Sequence, residues 1–200
     1  MALVAGTLTD PARLVAYMQE KGSSASVAAA CCSRMVALAP DPSLESIAHL
    51  KAFVEAGGVQ EGVRLMKEHA QRGSSVGQAL STEVLALADV QEQGCVLLMN
   101  LAGLALSGDD PCASALHDQK AAVAVVGTMN QYSEKLELVE GAMAVLMQLA
   151  TLDVPGCMEA GLAEAVVRSM HSCQASGWLH FLCARTLSWC LSTGGVSVTE

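Results

Sequence analysis

His171, Cys173, His180 and Cys183 are the only place in this 200-residue chain where metal-binding side chains gather. Zinc asks for four converging ligands, usually from two tight pairs. His180 and Cys183 are three apart and can share a helix face, but His171 and Cys173 are two apart and face away from each other. The spacing therefore predicts no metal site. Cys31 and Cys32 are adjacent and read as two buried thiols rather than a strained disulfide. For catalysis, a nucleophile needs a base and a group that orients the base. The chain contains no G-x-S-x-G, H-E-x-x-H, phosphate loop or dinucleotide fingerprint. Its five histidines lie in helical stretches with no motif about them. The reading is of a non-enzyme with no catalytic residues, metal or cofactor.

Composition narrows the class further. Hydrophobic residues make up 52% of the chain and aromatics 3%. Ala, Leu, Val, Met and Glu dominate, a mix that favours helix over strand, and a core with few rings must be built from aliphatic and Met packing. The net charge is −9 and nothing basic clusters, which argues against nucleic acid as a partner. Few aromatics also means no stacking platform for single strands. The acidity suits solubility or a basic partner. The start, MALVAGTLTDPAR, lacks the basic opening of a signal peptide. The longest apolar run, VLLMNLAGLAL, is 11 residues and falls short of the ~18–20 that a membrane span needs, so no membrane is expected. Most of the eight cysteines sit inside apolar helical patterns, which fits a reducing compartment, cytoplasmic or nuclear.

What the chain does contain is repetition. VQEQGCVLLMNLA starts at Val90, and LVEGAMAVLMQLA at Leu138 nearly repeats it. Fainter echoes are VAAACCSRMVALA at Val27 and HFLCARTLSWCLS at His180, giving spacings of 63, 48 and 42. In that register Cys31, Gly94, Ala142 and Ala184 are small, and seven residues on stand Leu38, Leu101, Leu149 and Leu191. Seven residues are nearly two helical turns, so each pair lies on one face. Small residues there allow close helix approach, and each Leu is expected to pack into a neighbouring helix. A second helix precedes each echo: ARLVAYMQEKG, AGGVQEGVRLMKEH, KAAVAVVGTMNQ and AGLAEAVVRSMHS. Met18, Met66, Met129 and Met170 share one position in it, and Gly57, Gly58 and Gly161 mark sharp turns before it. Short segments at 43–55, 112–120 and 154–161, each following an X-Pro pair, complete a three-helix unit. One insertion, 71–89, interrupts the regularity: RGSSVG reads as a mobile loop and STEVLALAD as a backward extension of the next helix by two turns. Residues 193–200 read as a flexible tail, and Arg185 and Ser188 as the polar outer face of a final unit.

A base period near 42 built only from helices is the pattern of an α-solenoid, in which each unit covers the apolar face of the last. The phrases AGGVQEGVRLM and VQEQGCVLLMNLA resemble the second and third helices of armadillo repeats, similar to the armadillo region of leucine-rich-repeat kinases and related eukaryotic repeat proteins. The resemblance covers residues 10–192. The expected fold is all-α: one right-handed solenoid over 1–200, of about four armadillo-like units near 10–40, 41–103, 111–151 and 154–192, with two-helix HEAT repeats as the structural alternative. The resemblance implies a concave groove lined by third helices, taking a peptide or partner helix. Its residues here would be Ser33, then Glu92, Val96 and Asn100, then Glu140, Ala144 and Gln148, then Thr186, with Ala29, Ala37, Leu182 and Cys190 in the same rows. The importin-α type places Trp and Asn four apart in this row. Val96 stands in place of that Trp, so nuclear-import cargo binding in that mode is not implied. Glu92 and Glu140 would meet a Lys- or Arg-bearing segment. The implied function is a protein-binding scaffold or adaptor. The alternative is an accessory solenoid region of a larger, kinase-like signalling protein.

Overall fold

The computed structural model describes residue 5 and residues 7–75 and 82–193. Among these, all regular structure is helical, as the composition predicts. The helices are α1 (Pro11–Lys21), α2 (Ala25–Leu38), α3 (Leu44–Glu55), α4 (Gly58–Ser75), α5 (Thr82–Leu106) and α6 (Asp110–Asp118). They continue as α7 (Ala121–Gln131), α8 (Leu136–Leu152), α9 (Val154–Glu159), α10 (Leu162–Ser172) and α11 (Gly177–Thr193).

The helix starts follow local chemistry. Asp10, Ser43, Asp109 and Asp153 each cap a helix by accepting a backbone N–H two or three residues on. Pro11, Pro111 and Pro155 occupy first-turn positions, where a missing N–H costs nothing. Three second helices start after a left-handed residue. Gly57 (φ 83°) and Gly161 (φ 89°) supply it cheaply, while the equivalent middle position is Lys120 (φ 54°), the one non-glycine with positive φ among the described residues.

Packing runs in rows along the chain. The long helices pack in succession, α2 on α5, α5 on α8 and α8 on α11. The second helices do likewise, α4 on α7 and α7 on α10. The core is aliphatic and sulfur-rich: Met18, Met35, Met66, Met129 and Met143 are fully buried, and Phe53 is the one fully buried Phe, Tyr or Trp among the described residues. Gly94 is where helix α5 presses on α4. A Cβ built there would lie 2.7 Å from Met66 Cγ and Sδ, so the small residue is required by contact. A buried polar link ties three helices: Gln91 Nε2 donates to Met66 O (2.9 Å), and Thr128 Oγ1 donates to Gln91 Oε1 (2.6 Å).

Several expectations change. In α2, α5 and α8 the buried positions recur at the expected offsets of 63 and 48: Val27, Cys31, Cys32 and Met35; Val90, Gly94, Cys95 and Leu98; Leu138, Ala142, Met143 and Leu146. The last copy does not follow at 42. Leu191 is 65% exposed and Ala184 is also exposed, while Leu179, Leu182, Cys183, Thr186 and Cys190 are buried. These match Val139, Ala142, Met143, Leu146 and Ala150 at an offset of 40. Matching letters had aligned Leu191 with Leu149, but the apolar stripe, which sets what faces the core, lies two residues earlier. The outer face of α11 is not polar throughout either: Trp178 and Phe181 stand exposed beside Arg185 and Ser188.

In the insertion, 72–75 continue α4 as helix rather than opening a loop, and 82–89 do extend α5 backward. The rest of the insertion, 76–81, and the tail at 194–200 lie outside the described residues. Helix α5, at 25 residues, is long and apolar enough by length and composition to cross a membrane, contrary to the reading from uninterrupted runs. Its Leu, Ala and Val residues and few charges keep the mean hydropathy high where no single run is long. In the fold it is the central helix, in contact with α2, α4, α6 and α8.

Gln91→Ala is expected to lower stability by about 1–2 kcal/mol in urea unfolding, because it removes two buried hydrogen bonds while Thr128 Oγ1 keeps its bond to Ala124 O; a loss below about 0.5 kcal/mol would show that the link is dispensable. Lys120→Gly is expected to raise stability by about 0.5–1 kcal/mol, since left-handed strain outweighs the added freedom of the unfolded chain. A fall in melting temperature would contradict that.

Candidate functional site

The rows of long helices place the expected groove residues unequally. Ser33 and Glu92 are exposed, and Val96 and Ala144 are half-buried. Asn100 is half-buried and its Nδ2 reaches Ala39 O at 3.4 Å, tying α5 to the end of α2. Glu140 is half-buried and already engaged: Ser176 Oγ donates to its Oε1 at 2.5 Å. The same hydroxyl accepts from Leu179 N, capping the first turn of α11. Glu140 therefore anchors the next long helix, and its substitution is expected to cost stability as well as any contact in the groove. Gln148 Oε1 is buried with no hydrogen-bond partner among the described residues. Thr186 is fully buried, with Oγ1 bonded to Leu182 O, and belongs to the core rather than the groove. Leu182 and Cys190 are buried with it, for the same two-residue shift of the apolar stripe.

Between α5 and α8 the structure forms a cleft of about 170 Å³ lined by Glu92, Cys95, Val96, Met99, Glu137, Leu138, Gly141 and Val145. Glu92 and Val96 thus share one small site, with an apolar floor and carboxylates from both helices. Glu137 was missed by the sequence reading. It lies one helical turn before Glu140, so face periodicity was the available signal.

A larger cavity of about 590 Å³ lies among α6, α7, α8 and α9, away from the expected groove. Its apolar wall includes Leu116, Ala121, Leu149 and Leu152, and His117, Asp118, Lys120, Asp153 and Glu159 also line it. His117 Nδ1 lies 2.5 Å from Asp153 Oδ2, joining α6 to the residue that caps α9. The hydrogen bond to Asp153, its charge, and the weaker fields of Asp118 and Glu159 push the His117 imidazole above its ordinary value. No local motif announces this pair, since 36 residues separate its members. Among the described residues, no hydroxyl or thiol is hydrogen-bonded to His117 Nε2, so the pair has no nucleophile in place.

Burial disarms six of the thiols as well. All eight cysteines are free, and burial pushes Cys31, Cys32, Cys95, Cys112 and Cys157 up to about 12 and Cys183 to about 11. A thiol with so high a pKa is neutral, and the thiolate is the reactive form. His69 is buried, with Nε2 against Gly22 O at 2.9 Å, and burial lowers its pKa, so it joins α4 to the end of α1 as a neutral ring. Among the described residues no group of three or more His, Cys, Asp or Glu side chains is arranged to hold a metal ion. His171 is exposed, and Cys173 Sγ donates instead to Ser133 O. Searches of protein-family models, of curated proteins and of solved structures returned no match to this chain.

The His117–Asp153 pair makes stability depend on pH. Folded His117 keeps its proton to higher pH than the unfolded chain does, so the pair's contribution is complete below the ordinary imidazole value of 6.5 and fades as pH rises past the folded one. His117→Ala is therefore expected to lower the melting temperature more at about pH 5.5 than at about pH 8.5. An equal loss at both values would mean that the pair is not an ion pair.

Proposed function

We propose that this chain is a short armadillo-type solenoid of about four units that acts as a non-catalytic scaffold or adaptor, binding a basic peptide or partner helix on the face formed by α2, α5 and α8. The observation that carries this reading is the recurrence of the same buried positions at offsets of 63 and 48 in three long helices that pack one on the next. Such a row leaves one face of each helix free, at residues four apart, in a form that an extended segment can follow. The cleft between α5 and α8 supplies the chemistry: an apolar floor for a side-chain stem and Glu92 and Glu137 for a cationic head. A net charge of −9 favours encounter with basic segments. The absence of an armed nucleophile, among the described residues, makes binding a better reading than catalysis. The same charge speaks against nucleic acid, and the reduced, buried thiols suit a cytoplasmic or nuclear setting.

The test is a display of short basic, neutral and acidic peptides, with hits measured by fluorescence anisotropy. Hits are expected among peptides that carry Lys or Arg next to an apolar residue. Glu92→Lys with Glu137→Lys is expected to weaken them at least about tenfold and to reduce their salt dependence, while circular dichroism stays unchanged. Hits that bind the double variant with unchanged affinity would refute this site, and a set of acidic hits would refute the basic partner.

A further inference from the structure

Repetition supplies an internal control for the cavity among α6, α7, α8 and α9. The left-handed residues Gly57, Lys120 and Gly161 mark one position in three successive units. Counting back from them aligns α3, α6 and α9. Seven places before stand Leu50, Ala113 and Val154, and three places before stand Val54, His117 and Met158. At the marker itself the outer units have glycine and the middle one has lysine. The middle unit thus departs from both neighbours at Ala113, His117 and Lys120, and all three line this one cavity of about 590 Å³. Alanine in place of a larger aliphatic residue makes room. Leu116 adds to this, standing where the first unit has the fully buried Phe53. Packing gains nothing from such exchanges. They open space, and they set a lysine in a backbone conformation that glycine adopts at lower cost. Bulk given up and strain accepted against a chain's own pattern are signs of a binding site, and the volume is that of small-molecule sites.

The lining defines what fits. Leu116, Leu149 and Leu152 offer a wall to an apolar body. Asp153 is committed: its Oδ1 accepts from Gly156 N at 2.9 Å, and its Oδ2 lies against His117. That pair joins α6 to the start of α9 across the cavity. Asp118, Lys120 and Glu159 also line it, and they form no ion pair among the described residues. Lys120 lies in the field of a second ammonium, since burial, and then the charge of Lys120, hold Lys67 below its ordinary value. An anion beside Lys120 offsets that repulsion. A carboxylate stands two places before the marker in every unit, as Glu55, Asp118 and Glu159, whereas the lysine is particular to the middle one. The distinctive contact is therefore to an anionic group, with a cationic group on the same molecule matched by Asp118 and Glu159.

We propose that this cavity binds a small amphoteric molecule with an apolar body, of the class of aliphatic dipeptides free at both ends. Its carboxylate meets Lys120, its ammonium meets Asp118 and Glu159, and its side chains lie on Leu116, Leu149 and Leu152. The site is separate from the Glu92–Glu137 cleft and does not rest on what that cleft binds. A ligand of this size is expected to bind with a Kd of about 0.1–1 mM.

Isothermal titration calorimetry on the 200-residue chain tests it, with leucyl-leucine, its N-acetylated form and its C-terminal amide as probes. Leucyl-leucine is expected to bind, and each capped form to bind at least about fivefold more weakly. Lys120→Gly restores the residue of the neighbouring units. It is expected to weaken leucyl-leucine at least about fivefold and to leave the amide unchanged, a split that a merely structural lysine would not produce. Ala113→Leu refills the cavity and is expected to abolish binding of all three probes. Circular dichroism checks that both variants fold, and Lys120→Gly carries the test if Ala113→Leu does not. The proposal is overturned if leucyl-leucine fails to bind at about 10 mM, or if either capped form binds as tightly as the parent. Equal losses of leucyl-leucine and amide in Lys120→Gly, or undiminished binding to folded Ala113→Leu, overturn it as well.

Discussion

The structure depends on one recurring contact: the apolar stripe of each long helix is buried between the second helix that precedes it and the neighbouring long helices. Helices α2, α5, α8 and α11 pack in that order, and the buried positions on the first three recur without drift. Close approach needs a small residue at the contact. At Gly94 this is literal, because the Met66 side chain occupies the space that a Cβ would take. The aliphatic, Met-rich core follows from the same demand. Flexible, unbranched side chains fill the uneven gaps between helices of different length better than rigid rings do.

A row of this kind separates stability from function. The buried faces are committed to neighbours, so binding chemistry must come from the residues left over. In the cleft between α5 and α8 those residues are two carboxylates above an apolar floor. Polar side chains that look free in a helical wheel are often spent on joining helices. Glu140 holds the hydroxyl that caps α11, Asn100 reaches the end of α2, and Gln91 joins α4 to α7 across α5. The last helix differs because nothing described here packs outside it. Its apolar stripe is set two residues earlier than in the echo, and its rings are left in solvent.

Much of this was legible in advance, and for a definite reason. The 3.6-residue period of apolar positions, the Pro and Gly punctuation and the near-identical phrases at Val90 and Leu138 fix which segments are helices and where they begin. They fix also that Met18, Met66 and Met129 are core. These are local or periodic properties, written in the order of residues. The length of α4 was underread because RGSS lies in a stretch whose composition favours a turn; in the structure Arg72 pairs with Glu68 one turn back and donates to Ser23 O.

Of the candidate site, the sequence alone determined which helices could form it and that Glu92 and Val96 stand four apart on one of them. Only the tertiary structure decided that Glu137 joins them, that Glu140 is engaged by Ser176, and that Thr186 is buried. It also brought His117 to Asp153 beside a cavity that no motif marks. The physical reason is that periodicity tells which face of a helix is apolar, whereas the partner of a polar side chain depends on the rotation and offset of a second helix. Those are set by how side chains interlock across the contact, and a shift of two residues in α11 was enough to exchange a groove for a core.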